Sequence, residues 1–209
     1  MLIDIDAKKI IALHDGKLMQ PDWPAIALFD AETDAWHWIE ENHRYNSLLW
    51  NEEDKARRTD VEAGEIAVCK RLIDQYNQKR NDAVEAIDEA ILMQLAGIMF
   101  NENARQNSET AGAMIDRLSI LSLKIFHMRE QTQRFDVDAA HIQACQAKLD
   151  RLIMQRHDLG ACFDALLKDA MAGRAYFKVY RQFKMYNDPT LNPYLYGTGS
   201  TSIADGAVR

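Results

Sequence analysis

The feature that most constrains this chain is its similarity to itself. A gap-free shift of 76 positions sets Ile39 on Ile115 and Glu40 on Asp116, and Arg58, Asp60 and Val61 on Arg134, Asp136 and Val137. It also sets Cys69 on Cys145, Asp74 on Asp150, Arg80 and Asp82 on Arg156 and Asp158, and Asp88 on Asp164. The matches fall in two stretches of helical apolar period and in the connection between them, so the repeated unit is a helical hairpin. One hairpin cannot bury its own apolar stripe, whereas two can close over a shared core. The sequence therefore predicts an all-α fold. Repeat units at about 34–97 and 110–173 would form a pseudo-twofold four-helix bundle with extra terminal helices.

Composition agrees. Nine glycines and four prolines in 209 residues leave little turn chemistry for a many-stranded β fold, and 47% hydrophobic residues suffice for a core. Helices are expected over 34–58, 65–96, 111–131 and 139–172, with Asp34 and Thr110 as N-caps and a stop near Gly173. Residues 1–13 read as a short amphipathic helix or arm, HDGKLMQPDWP (14–24) as a loop and AIALF (25–29) as a further helical turn. One helical domain is expected over 1–196, with 197–209 as a flexible tail.

A net charge of −7 excludes a general nucleic-acid binder. No run of 18 apolar residues exists, so no membrane span is expected. Acids close behind Met1 argue against a signal peptide, and three cysteines without a CxxC pair read as buried thiols. Together these predict a cytoplasmic protein.

RNDAVEAIDEA (80–90) carries Asp82, Glu85 and Asp88 three apart, as in a helical Mg²⁺ site. At about 100° per residue, Ile73, Val84, Ile87 and Ile91 mark the buried stripe, with Asp82, Glu85 and Glu89 opposite it and Asp88 beside it. The three carboxylates cannot converge, and the repeat partner RHDLGACFDAL lacks the middle Glu. The segment reads as a solvated acidic face. There is no HExxH, GxSxG, P-loop or GxGxxG, so no cofactor, no metal ligand set and no nucleophile is predicted.

The interior of the first hairpin is polar. Arg80 falls inside the buried stripe, flanked by Asn77, Asn81 and Asp88. The core stripe of the third helix is Ile115, Leu118, Ser122 and Ile125; the shift maps these onto Ile39, Asn42, Asn46 and Leu49, and Ile153 onto Asn77. The first half thus points Asn42, Asn46, Asn77, Arg80 and Asp88 inward, with His43 at the border. One reading is a satisfied network in which Arg80 pairs with Asp164 and Arg156 with Asp88 across the pseudo-twofold. The other is a pocket for an oxyanion, an amide or sugar hydroxyls. Ile120 and Leu123, on the back of the third helix, need cover from the terminal segments or from a second copy in a homodimer. The C-terminal segment interleaves Arg174, Lys178, Arg181 and Lys184 with aromatic residues. It reads as a phosphate site or as a strap helix.

NSET at 107–110 and MYND at 185–188 resemble signatures of an uncharacterised bacterial family, a domain of unknown function. LLWNEEDKARRTD (48–60), IDQYNQKRNDAVEAIDEAIL (73–92), MIDRLSILSLKIFHM (114–128) and YRQFKMYNDPTLNP (180–193) carry the same resemblance, which covers about 48–196. Ala111 stands where the family usually has Pro after NSET. That is the first helical position, where Pro is favoured but dispensable. The resemblance implies no activity. It implies an association with glycosyltransferases of cell-envelope polysaccharide or lipopolysaccharide synthesis.

Three expectations follow. The first is an accessory or binding protein recognising a sugar, a sugar phosphate, a sugar nucleotide or a partner glycosyltransferase. Its site would draw on Asn42, Asn46, Asn77, Arg80, Asp88, Asp116 and Arg156, with Asn107 and Thr110 fixing the entrance of the third helix and Arg181 and Lys184 neutralising an anion. The second is an Mg²⁺-dependent all-α nucleotide or sugar-nucleotide pyrophosphohydrolase built on Glu40, Asp88, Asp116 and Asp164. The third is a dimeric scaffold.

Overall fold

A computed structural model describes residues 4–25, 34–181, 185 and 188–196. It is all-α: α1 (Ala7–Leu18), α2 (Ala35–Ala56), α3 (Ala63–Gln94), α4 (Ala111–Thr132), α5 (Ala139–Met171) and a short α6 (Pro193–Tyr196). Two two-residue strands, β1 (Arg105–Gln106) and β2 (Ala175–Tyr176), pair in parallel. The chain divides into two units, one ending at Val179 and one starting at Tyr180.

In the first unit α2 and α3 form one hairpin, and α4 and α5 another. Their bounds follow the sequence periodicity to within two residues. The 76-residue shift carries α2 onto α4 end for end, and its caps agree: Asp34 receives the His37 N–H at 2.9 Å, and Thr110 the Ala113 N–H at 3.2 Å. Both connections are held by the same fork, Arg58 on Asp60 and Arg134 on Asp136, each through two hydrogen bonds. The core runs through Ile10, Ile39, Ile87, Ile91, Ile115, Leu118, Ile125 and Phe163, all fully buried. Each such side chain contributes about 1.5–3 kcal/mol.

Four helices alone do not close this bundle. No Cα of α2 comes within 8 Å of one of α5. Instead α1 lies against α2, α4 and α5. The α4–α3 crossing is close because residue 112 is Gly: a Cβ there would stand 2.5 Å from the Val84 carbonyl oxygen. The α1–α5 crossing uses Gly160, where a Cβ would meet that of Ala7 at 3.1 Å. At each crossing an aspartate receives a first-turn N–H: Asp88 from Gly112 at 2.6 Å, and Asp164 from Ala7 at 2.8 Å. Asp88 and Asp164 are the repeat-related pair, so this duty belongs to the scaffold.

Helix α1 runs through His14–Leu18, which the sequence reads as loop. Tertiary contacts override the glycine at 16: His14 is fully buried, Asp15 pairs with Arg156 and Lys17 with Glu40. At the other end Gly173 adopts φ +69° and terminates α5. Its N–H donates to the Ala170 carbonyl, and the Arg174 N–H to that of Asp169. The strap helix is therefore not formed at this end; residues 174–179 leave extended, and the Arg105 and Asn107 N–H groups bond to Arg174 and Tyr176. Leu123 is buried within the chain itself, whereas Ile120 is half-buried.

In the second unit Asp188 accepts from the Thr190 N–H and hydroxyl, and Asn192 caps α6 through the Tyr194 N–H. Arg181 is exposed there. Lys184, AIALF beyond Ala25 and the tail 197–209 lie outside the described residues.

Candidate functional site

Where α2 faces α4, the apolar stripe gives way to polar groups. The Asn42 and Asn46 amides both donate to one oxygen of Asp116, at 2.8 and 2.9 Å. Asn46 also donates to the Ser119 hydroxyl at 3.0 Å. Ser119 in turn bonds His43 Nδ1 at 2.8 Å. His43 and Ser119 are themselves related by the 76-residue shift.

Arg80, from α3, reaches this network only loosely. Its Nε stands 3.9 Å from the Asp116 carboxylate, and this buried atom has no hydrogen-bond partner. One terminal nitrogen donates to Asn81 at 3.3 Å. Arg80 also lines a groove of about 380 Å³ between α2, α3 and α4, whose other polar groups are Asn46, Asn77, Asp54 and the ion-paired Glu53 and Arg57, with Leu49, Ile120 and Leu123 as apolar wall. Buried donors are normally paired, so a guanidinium nitrogen left over beside a groove is a ready-made partner for an acceptor.

The predicted residues do not form one site. Asn42, Asn46, Asn77, Arg80 and Asp116 come together. Asp88 caps α4, away from them. Arg156 bonds Asp15 at 2.6 Å and Ser122 at 3.0 Å. The expected pairs Arg80–Asp164 and Arg156–Asp88 are not formed, because the backbone of α4 takes Asp88 and that of α1 takes Asp164. Asn107 and Thr110 shape the α4 entrance: the Asn107 amide donates to the Glu109 carbonyl at 2.6 Å and accepts from Arg105 at 2.8 Å. Arg174 pairs with Asp169, and Lys178 sits over the Tyr176 ring.

One buried group carried no signal in the sequence. His14 stacks on His43 with centroids 4.4 Å apart, and Trp23 stacks on His43 from 5.4 Å. Trp23 Nε1 donates to Ser47, whose hydroxyl donates to the His43 carbonyl. Neither ring nitrogen of His14 has a hydrogen-bond partner. Burial, then the neighbouring His43 and Arg156, hold the His14 pKa well below its usual range. Burial likewise pushes His43 down to about 3, although the His14 backbone pulls the other way. Only an α1 continued through residue 14 brings these rings together.

Burial raises the Asp88 carboxyl to about 6, against the pull of the Thr110 hydroxyl and the Gly112 N–H. Raised carboxyl pKa values are common in catalytic sites. Here the cause is a buried helix cap. The four carboxylates of a Mg²⁺ hydrolase are engaged one by one: Glu40 with Lys17, Asp88 with Gly112, Asp116 with two amides and Asp164 with Ala7. Among the described residues no three His, Cys, Asp or Glu side chains are grouped to hold a metal ion.

Fold and site define an all-α protein with a preformed polar cluster opening into an interhelical groove. Among the described residues no helix is long and apolar enough to cross a membrane. A family model described as a protein of unknown function, DUF4254, matches residues 36–179, and the chain belongs to that family. No curated protein and no solved structure matches.

Proposed function

We propose that this is a metal-independent binding protein that holds a sugar or sugar phosphate in the α2–α3–α4 groove. The buried Arg80 Nε, without a hydrogen-bond partner beside that groove, carries the reading. Arg80 would meet the anionic oxygen and Asn77 a hydroxyl. Asp116, already held by Asn42 and Asn46, keeps the cluster's geometry fixed before the ligand arrives. The NSET and MYND resemblance supports an accessory role beside envelope-polysaccharide glycosyltransferases, and the cysteine usage supports a cytoplasmic setting. The matching helix bounds and the His43–Ser119 contact support descent from a duplicated hairpin, the first copy having become the polar one.

A thermal-shift panel of sugar phosphates, with and without Mg²⁺, tests this. A ligand at a hundred times its dissociation constant adds about 2.7 kcal/mol. The expected result is a shift without Mg²⁺ that is lost in Arg80→Ala. A shift that requires Mg²⁺ and is lost in Asp88→Asn would favour the pyrophosphohydrolase instead.

A further inference from the structure

The missing α2–α5 contact leaves a second cleft at the end of the bundle away from α1. It lies between Trp50 and Asp54 of α2, Lys124 to Gln131 of α4 and Ala147 to Gln155 of α5, with a volume of about 660 Å³. That is the size of a cleft that encloses a small organic ligand. We infer that this cleft binds a nucleoside phosphate.

Two features of different chemistry meet there. The first is a cluster of cations. Lys124, Lys148 and Arg151 all line the cleft, Asp54 is its one lining carboxylate among the described residues, and none of the three cations makes an ion pair with a described residue. In a chain of net charge −7, a cleft lined by three cations and one carboxylate marks a place for an anion. The second is a flat platform. Trp50 stacks on His127 with centroids 4.6 Å apart and planes 11° from parallel, and Glu130 fixes His127 through Nδ1 at 2.8 Å. Met128 and Leu152 add apolar wall, and the Gln131 and Gln155 amides can read the edge of a base. An inorganic anion would leave the platform idle, and an uncharged ring would leave the cations idle. A nucleoside phosphate uses both, by stacking and by charge.

This inference does not rest on the sugar site. The two grooves share Trp50 and Asp54, but Lys124, Lys148 and Arg151 line only this one, and Asn77 and Arg80 only the other. The test is calorimetric titration of the full chain with ADP, UDP, inorganic pyrophosphate and adenosine. The expected result is that ADP or UDP binds, and that pyrophosphate and adenosine bind at least tenfold more weakly. The exposed double variant Lys148→Ala/Arg151→Ala should lose at least tenfold in nucleotide affinity, and Arg80→Ala should lose none. Trp50→Leu should weaken the nucleotide but not pyrophosphate. Binding of no nucleotide, pyrophosphate binding as tightly as ADP, or full affinity in the double variant would each overturn the assignment.

Discussion

Arg80 and Arg156 occupy equivalent positions in the two hairpins and meet different fates. Arg156 is closed in: Asp15 of α1 approaches to 2.6 Å and Ser122 to 3.0 Å. Arg80 has only a 3.9 Å approach to Asp116 and a buried, unbonded Nε, and its side chain lines a groove. The difference is α1. It lies against α2, α4 and α5 and supplies Asp15 to Arg156, and no helix does the same for Arg80. Two positions matched by the 76-residue shift thus differ, one satisfied and one available, and the available one is the candidate site.

The largest expected effect comes from acid, which acts on the α1 side. His14 and His43 have depressed folded pKa values, so their stabilisation is complete above about 6.5 and is lost as pH falls below it. Each contributes a slope of about 1.4 kcal/mol per pH unit in that window. Asp88 acts oppositely. Its raised pKa means that stability is lost as pH rises from about 4 through about 6, so acidification regains part of it. Urea denaturation at pH 7 and pH 5 should show a net loss of roughly 2 kcal/mol at the lower pH. Stability unchanged or higher at pH 5 would contradict the buried imidazole pair.

Next in size is the arginine comparison. Arg156→Ala should cost roughly 2 kcal/mol, moderated because Asp15 is partly exposed, whereas Arg80→Ala should cost under about 1 kcal/mol. Equal losses in denaturation would remove the asymmetry. The glycine crossings sharpen the same contrast. Gly112→Ala drives a Cβ into the Val84 backbone and should cost about 1–3 kcal/mol, while Gly160→Ala meets only the Ala7 methyl and should lie within about 1 kcal/mol of wild type. The smallest effect is Asp88→Asn. It keeps an acceptor for the Gly112 N–H and removes a desolvated charge. Stability at pH 7 should change by less than about 1 kcal/mol, and Asp88's part of the pH dependence between about 4 and 6 should vanish.

The helix bounds were legible because apolar period and capping chemistry agree at Asp34, Thr110 and Gly173. Asn42, Asn46 and Arg80 were legible as interior polar groups, since the repeat shows Leu118, Ser122 and Arg156 in their places. Their partners were not. A closed four-helix bundle would let Arg80 pair with Asp164 and Arg156 with Asp88 across the axis, but the first turns of α1 and α4 take those aspartates. The glycine and two prolines of HDGKLMQPDWP signal a loop from residue 14, and long-range contacts at His14, Asp15 and Lys17 override that signal. The cleft at Trp50 and His127 has no sequence signal, since its three cations come from two helices and only tertiary packing brings them together.

The most direct test of the open-arginine account is calorimetric titration of glucose 1-phosphate in EDTA, with wild type, Arg80→Ala and Arg80→Lys. The account predicts metal-independent binding. Arg80→Ala should weaken it by tenfold or more, the worth of about 1.4 kcal/mol or greater, and Arg80→Lys should restore part of the loss. Unchanged affinity in Arg80→Ala, or no binding by wild type, would contradict it.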